Sequence, residues 1–425
     1  MVQGKVWGVA VEGSGRRYVA GSFQGRRDFD PGAGQVVRTG AGSDDAFVTC
    51  FESDGRHAWT QTFGGSASDV ATGVAVADGT VYVAGHFASS NAGIGGAGSH
   101  AASGPADAFI LSFDTFTGAP RTGFGSGGVA RFAGSGSDYA HGVAAYHGIV
   151  FVAGKFNSTN AGMGGSGTVS TAGGYDAFVL ALNATSGAAV TAFSGDGAQT
   201  FGGSGDDEAN AVTTYDRWVY AAGAFQGSNA GVGGPGAIAS RGGMDAFILK
   251  LDALNGGPGL GVWTGGVQTF GGPALDRAEA VVASLDRVYA AGEFDSTGAG
   301  IGGPGAVSTL GARDAFVLCL DSGSGAAVLS FSGDGVQIFG GGNWENATGL
   351  ALWGGTLFVS GASMSGNAGI GQLGNLGNRG VWDACVLALD RTTGAAAPSF
   401  SDDGIQTFGG IVSDLAFGIA VFNDT

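Results

Sequence analysis

A text of 69 residues recurs along this chain. The segment beginning FGGSGDD at Phe201 returns in related form at Phe270, and the same step links Phe63, Phe132, Phe339 and Phe408. A length of 425 residues would otherwise suggest two or three domains, but a sustained internal period predicts one repeat assembly, residues 1–425, in which each unit buries its faces against its neighbours.

Each repeat reads as four short strands. The first is a small apolar run such as GVAV at Gly73, and the second is VYVAGHF at Val81, with polar turn residues between them. That pairing is hairpin chemistry. The third strand opens on an aspartate: DAFVTCF at Asp45, DAFILSF at Asp107, DAFVLAL at Asp176, DAFILKL at Asp245, DAFVLCL at Asp314 and DACVLAL at Asp383. Both of its faces are largely apolar, which fits a sheet covered on both sides. The fourth strand is QTFGG or a variant, as at Gln61, Gln199 and Gln337. Small antiparallel sheets with two faces to bury are what a β-propeller blade requires. The expected fold class is therefore all-β: a single β-propeller of six four-stranded blades. Strands two to four occur six times, but the first type occurs a seventh time in LAFGIAVFNDT after Asp414. The alternative is a seven-bladed propeller with its last blade incomplete. An unpaired apolar strand is also a ready donor to another sheet edge.

Glycine supplies 88 residues of 425, about three times the usual share of roughly 7%. With 28 Phe and only 12% charged residues, this is not the composition of a disordered chain. A formal charge of −17, with 18 basic residues against 35 acidic ones, argues against nucleic acid as a partner, because phosphates need basic side chains. Cys50, Cys319 and Cys385 cannot form a disulfide framework or a CxxC site and are expected to be buried. No stretch is long and apolar enough for a transmembrane helix, and the start MVQGKVWGVAV has no signal-peptide pattern.

The combination of TFGGSGDD, VYAAG.F and DAFILKLD at fixed offsets, carried by nearly all of the chain, resembles the bacterial β-propeller repeats of the SBBP type. The resemblance implies a propeller in an exported or cell-surface protein and supplies no catalytic residues. The 69-residue repeat is longer than the roughly 40 to 50 residues common in propeller repeats.

One carboxylate stands in each repeat six residues after the fourth-strand aromatic: Asp69, Asp138, Asp207, Asp276, Glu345 and Asp414. If the first strands are innermost, these groups stand where the chain enters the central channel, and oxygen ligands of that kind suit Ca²⁺. The competing and favoured reading is that each fixes its own turn by accepting backbone N–H bonds, with no cofactor bound. The aspartates that open the third strands read the same way. Identical carboxylate pairs in every repeat are what structure requires, whereas catalysis needs one asymmetric site. Loops such as NAGIGGAG at Asn91 lack the GK(S/T) ending of a phosphate loop, and their apolar residue (Ile94, Met163, Val232, Ile301, Ile370) is expected to plug into its own blade. Where the copies disagree, exposed aromatics become candidate partner-binding residues: Tyr175, Trp344 and Trp382. The sequence thus predicts a non-enzymatic scaffold or protein- or glycan-binding module. Alternatives are a subunit that self-assembles through its terminal strand or glycine-rich rims and, less favoured, a propeller hydrolase or lyase.

Overall fold

The computed structural model describes residues 4–165, 167–259, 263–374, 376 and 378–422. The protein is a six-bladed β-propeller, and its described residues include no α-helix. The chain divides into two compact units, one comprising Met1–Phe201, Leu254–Gly256 and Phe422–Thr425, the other Gly202–Ala253 and Gly257–Val421. Blades 1 to 3 belong to the first and blades 4 to 6 to the second.

Blade 2 shows how the repeat text becomes a sheet. Asp69–Ala77 pairs with Thr80–Phe87, which pairs with Asp107–Asp114 and then Val129–Ala133, all antiparallel and in sequence order. The hairpin between the first two strands turns at Asp78 and Gly79, both with positive φ (48° and 71°), as a tight two-residue turn requires. A register shift between Ala71 and Gly73 bends the first strand. Gly85 then passes so close to it that an added Cβ would lie 2.0 Å from the Val70 carbonyl oxygen. The equivalent glycine of blade 5, Gly292, would place a Cβ 1.8 Å from the Arg277 carbonyl oxygen. The third strands are buried along nearly their whole length, as their two apolar faces predict.

Blades interlock through a fifth strand that sequence reading missed. In four of the glycine-rich loops the apolar residue does not plug into its own blade as expected but pairs with the preceding one. Gly93–Ile94 leaves blade 2 and pairs with the fourth strand of blade 1, setting Ile94 opposite Phe63. Gly162–Met163 of blade 3 does the same to blade 2, with Met163 opposite Phe132. In the second unit, Thr297–Ile301 sets Ile301 opposite Phe270 of blade 4, and Gly369–Ile370 sets Ile370 opposite Phe339 of blade 5. Glycine is needed here because the strand and its return run in near backbone contact, Gly93 Cβ falling 2.7 Å from Gly98 Cα if built.

The same step builds the core. The fourth-strand Phe of one blade packs against two Phe rings of the next: Phe63 with Phe87 and Phe109 at 5.6 and 4.8 Å, and Phe132 with Phe156 and Phe178 at 5.7 and 4.9 Å. In the second unit Phe270 meets Phe294 and Phe316 at 5.9 and 4.7 Å. All nine rings are fully or almost fully buried, and each such side chain contributes about 1.5–3 kcal/mol by leaving water.

Blades 1 and 6 depart from this pattern. In blade 1 a short hairpin, Arg26–Asp28 with Val37–Thr39, replaces the glycine-rich loop, and Phe29 at its turn packs on Phe23 and Phe47 of the same blade at 5.3 and 5.0 Å. A cavity of 380 Å³ remains there, lined by Val6, Val19, Phe47 and Phe51 among others. Blade 6 is a four-stranded sheet of Glu345–Trp353, Thr356–Ser363, Asp383–Asp390 and Ile405–Phe408. The terminal strand expected after Asp414 is present as a segment in strand register but forms no strand ladder among the described residues. Asn423 to Thr425 lie outside those residues.

Candidate functional site

The two repeated acids sit in backbone turns and accept hydrogen bonds there. Asp69 is fully buried and accepts from Gly65 N (2.8 Å), Ser89 N (3.3 Å) and Ser89 Oγ (2.7 Å). Asp138 accepts from Ser158 Oγ (2.8 Å), Asp276 from Gly272 N (2.8 Å) and Ser296 Oγ (2.6 Å), and Asp207 from Gly203 N (2.9 Å) and Gln226 N (3.1 Å). Glu345, one methylene longer, takes Ser363 Oγ (2.9 Å) and Ser365 N (3.2 Å). Asp414 takes Gly410 N at 2.9 Å and is only half-buried. The acids that open the third strands behave alike, as where Asp107 accepts from Ser103 N and Asp383 from Arg379 N.

The two series meet at the junctions between repeats. A Cβ built on Gly271 would lie 2.7 Å from Asp245 Oδ1 and 2.9 Å from Asp276 Oδ2, so the two carboxyls flank one backbone position. Burial pushes Asp138, Asp176, Asp245 and Asp314 up to about 6, with the neighbouring carboxylate adding to the shift at Asp138, Asp245 and Asp314. One oxygen each of Asp138, Asp276, Asp314, Glu345 and Asp383 has no hydrogen-bond partner. No group of three or more His, Cys, Asp or Glu side chains stands ready to hold a metal ion among the described residues. The cysteines are buried as expected, and burial pushes the Cys50 and Cys319 thiols up to about 11.

The variable aromatics fall into two places. Tyr175, in the first unit, is half-buried beside Tyr139 (6.2 Å between ring centres), with Lys155 Nζ 5.1 Å from its own ring centre. In the second unit the structure brings Trp344 and Trp382 together, their ring centres 6.5 Å apart, with Trp344 48% exposed. The Arg313 guanidinium lies 5.2 Å from the Trp344 ring centre. It is held there by a two-point ion pair with Asp295 (2.6 and 2.9 Å) and by Glu293 at 2.9 Å.

Sequence reading overlooked this charged frame and its extension. Arg277 Nε lies 3.3 Å from Glu208, and an Arg277 terminal nitrogen lies 3.5 Å from Glu279, whose carboxyl burial pushes up to about 7. The signal was available in the comparison of copies: Thr72, His141, Asn210 and Thr348 stand where Glu279 does, so this acid belongs to one repeat alone. Lys250 is also unique to its repeat, but its ammonium sits 4.3 Å from the Trp218 ring centre and donates to the Ser322 carbonyl. It is a satisfied core group.

No protein-family model matches the chain, and no curated protein matches it. Membership in the SBBP-type family is therefore not established. Among solved structures, a europium-containing methanol dehydrogenase is similar over 96% of this chain and 69% of its own, at 11% identity and a TM-score of 0.35. So distant a likeness carries no inference about chemistry, and the propeller assignment rests on strand order and register. No helix of the described residues is long and apolar enough to cross a membrane.

Proposed function

We propose that this protein is a non-enzymatic β-propeller of the exported or cell-surface kind, a rigid scaffold that binds a protein or glycan through the Trp344–Trp382 face of its second unit. The observation that carries the reading is the exposed indole of Trp344, tilted against Trp382 and backed by an Arg313 that three acidic contacts hold in place. Aromatic rings fixed before binding contribute contact area at little entropic cost, and exposed Trp and Arg are the residue types that anchor interfaces. The repeated acids support a structural role, because Asp69, Asp138, Asp207, Asp276 and Glu345 each accept hydrogen bonds from their own turn and are buried from any substrate. Glycan-array and cell-surface-protein binding by the full chain tests the reading. Trp344→Ala and Trp382→Ala should each weaken capture at least tenfold while leaving the thermal midpoint nearly unchanged. Capture unaffected by both substitutions, or turnover in a broad glycan and peptide hydrolysis screen, would sink it.

A further inference from the structure

Four features of blade 6 and the segment after it lack the same thing. The first is the sheet edge. At four junctions within the two units, the fourth strand receives a crossing Gly-apolar pair from the next repeat, while Ile405–Phe408 is the outer strand of its sheet. Phe408 is accordingly 61% exposed, where Phe63, Phe132, Phe270 and Phe339 are buried.

The second feature is the sheet face. In blade 2, Tyr82, Ile110, Phe124 and Phe132 point toward blade 3 and are buried with its residues in one cluster. Their counterparts Phe358, Val386, Phe400 and Phe408 are half-buried or exposed. Phe358 and Phe400 keep the ring contact of the inner blades, at 5.7 Å against 5.9 Å for Tyr82 and Phe124. The face is therefore built as the others are and is uncovered.

The third feature is the segment from Asp414. Asp414 N donates to the Trp382 carbonyl at 2.9 Å, as Asp138 N does to Ala106 and Asp276 N to Met244. Thr348 Oγ1 donates to the Ala416 carbonyl (2.5 Å) as Thr72 Oγ1 does to Ala140 (2.7 Å). The segment thus lies in the register of a first strand, with no second strand paired to it among the described residues. The fourth feature is Asp414 itself. Its counterparts Asp69, Asp138 and Asp276 are each closed by a serine hydroxyl that follows the second strand of their blade, and Asp414 accepts from Gly410 N only.

We infer that the far side of blade 6, with the Asp414 segment, is a docking site for one further repeat of this same 69-residue type, which contributes strands two to four and an N-A-G-apolar-G loop. Continuity with the junction made inside the chain identifies the occupant. One such segment supplies the crossing pair for Phe408, two Phe rings to complete its triad, a strand for residues 415–421 and the serine for Asp414. Blade 1 of a second copy does not fit, because its hairpin with Phe29 folds back on its own sheet in place of the loop. The mode is strand addition combined with burial of an apolar face.

The test adds a polypeptide of residues 149–203, which carries Phe156, Phe178, Ser158 and Met163, to the full-length chain. Sedimentation should show a 1:1 complex, circular dichroism a gain of strand signal on mixing, and Phe408→Asp a loss of affinity of at least tenfold. Trp344→Ala should leave this complex intact, so failure here is distinct from failure of the binding-face reading. A chain that dimerises alone and is made monomeric by Phe408→Asp would overturn the proposal in favour of a second copy. Should the fragment aggregate by itself, it can be fused after Thr425 through a flexible Gly-Ser linker. The fusion should raise the thermal midpoint and slow hydrogen exchange at residues 415–421 at least tenfold, and an unchanged midpoint with unprotected amides would overturn the proposal.

Discussion

The junction between blades 4 and 5 and the far side of blade 6 are built from the same residue types and differ in what covers them. At the first, Phe270 lies beneath a crossing strand and between Phe294 and Phe316, wholly out of water. At the second, Phe408 occupies the same place in the repeat and is mostly exposed. A repeat unit of this kind does not carry its own core. The sheet defines half of an interface, and the next repeat turns that half into stability.

The sharpest way to break the comparison is to truncate the two rings. Phe270→Ala should cost about 3–5 kcal/mol, the usual penalty for emptying a buried aromatic site. Phe408→Ala should cost less than about 1 kcal/mol, as surface changes do. Chemical denaturation read by tryptophan fluorescence distinguishes the two, and equal losses would mean that Phe408 is buried in solution. The acids give a smaller contrast of the same form. Asp276→Ala strands the Gly272 amide and the Ser296 hydroxyl in a buried turn, a loss of about 1–3 kcal/mol for each group left unpaired. Asp414→Ala, with one backbone donor at a half-buried site, should cost about 1 kcal/mol or less.

Much of this was legible from the repeat, and the reasons are physical. Strand period, tight-turn residues and the position of each Asp are local matters, and a strand with two apolar faces states its own burial. DAFILSF could be nothing but an inner strand of a covered sheet. The crossing strand was not legible. Two residues such as Gly93 and Ile94 form a ladder too short to mark a pattern, and their partner Phe63 lies in the preceding repeat, so nothing in the period says which blade receives them. The Arg277, Glu279 and Arg313 frame was hidden for a different reason: Arg277 and Glu279 share one strand, but their charged neighbours Glu208, Glu293 and Arg313 come from other segments and are brought in by tertiary packing. The Trp344 and Trp382 pairing is of the same kind, each residue being visible as a departure from the repeat while their proximity was not.

The smallest effect concerns pH, and its sign follows from the direction of the shifts. Asp138, Asp176, Asp245 and Asp314 bind a proton up to about pH 6 in the folded chain but only to about 3.9 when unfolded. Between those values the native state holds more protons, so the stability these groups contribute is fully present below about pH 4 and lost as pH rises through 6. Asp114, Asp321 and Asp390 run the other way, lowered chiefly by turn hydrogen bonds to Thr117, Ser324 and Thr393, and their contribution disappears as pH falls. They stand near solvent, where such interactions are screened, so the buried set governs the slope. The thermal midpoint should be higher at pH 5 than at pH 8. Asp138→Asn keeps the shape of the side chain, removes one titrating group and should flatten that slope. A midpoint that climbs steadily from pH 5 to pH 8 would show that the buried carboxyls are ionised in the folded protein, with their desolvation offset by a partner such as a bound cation.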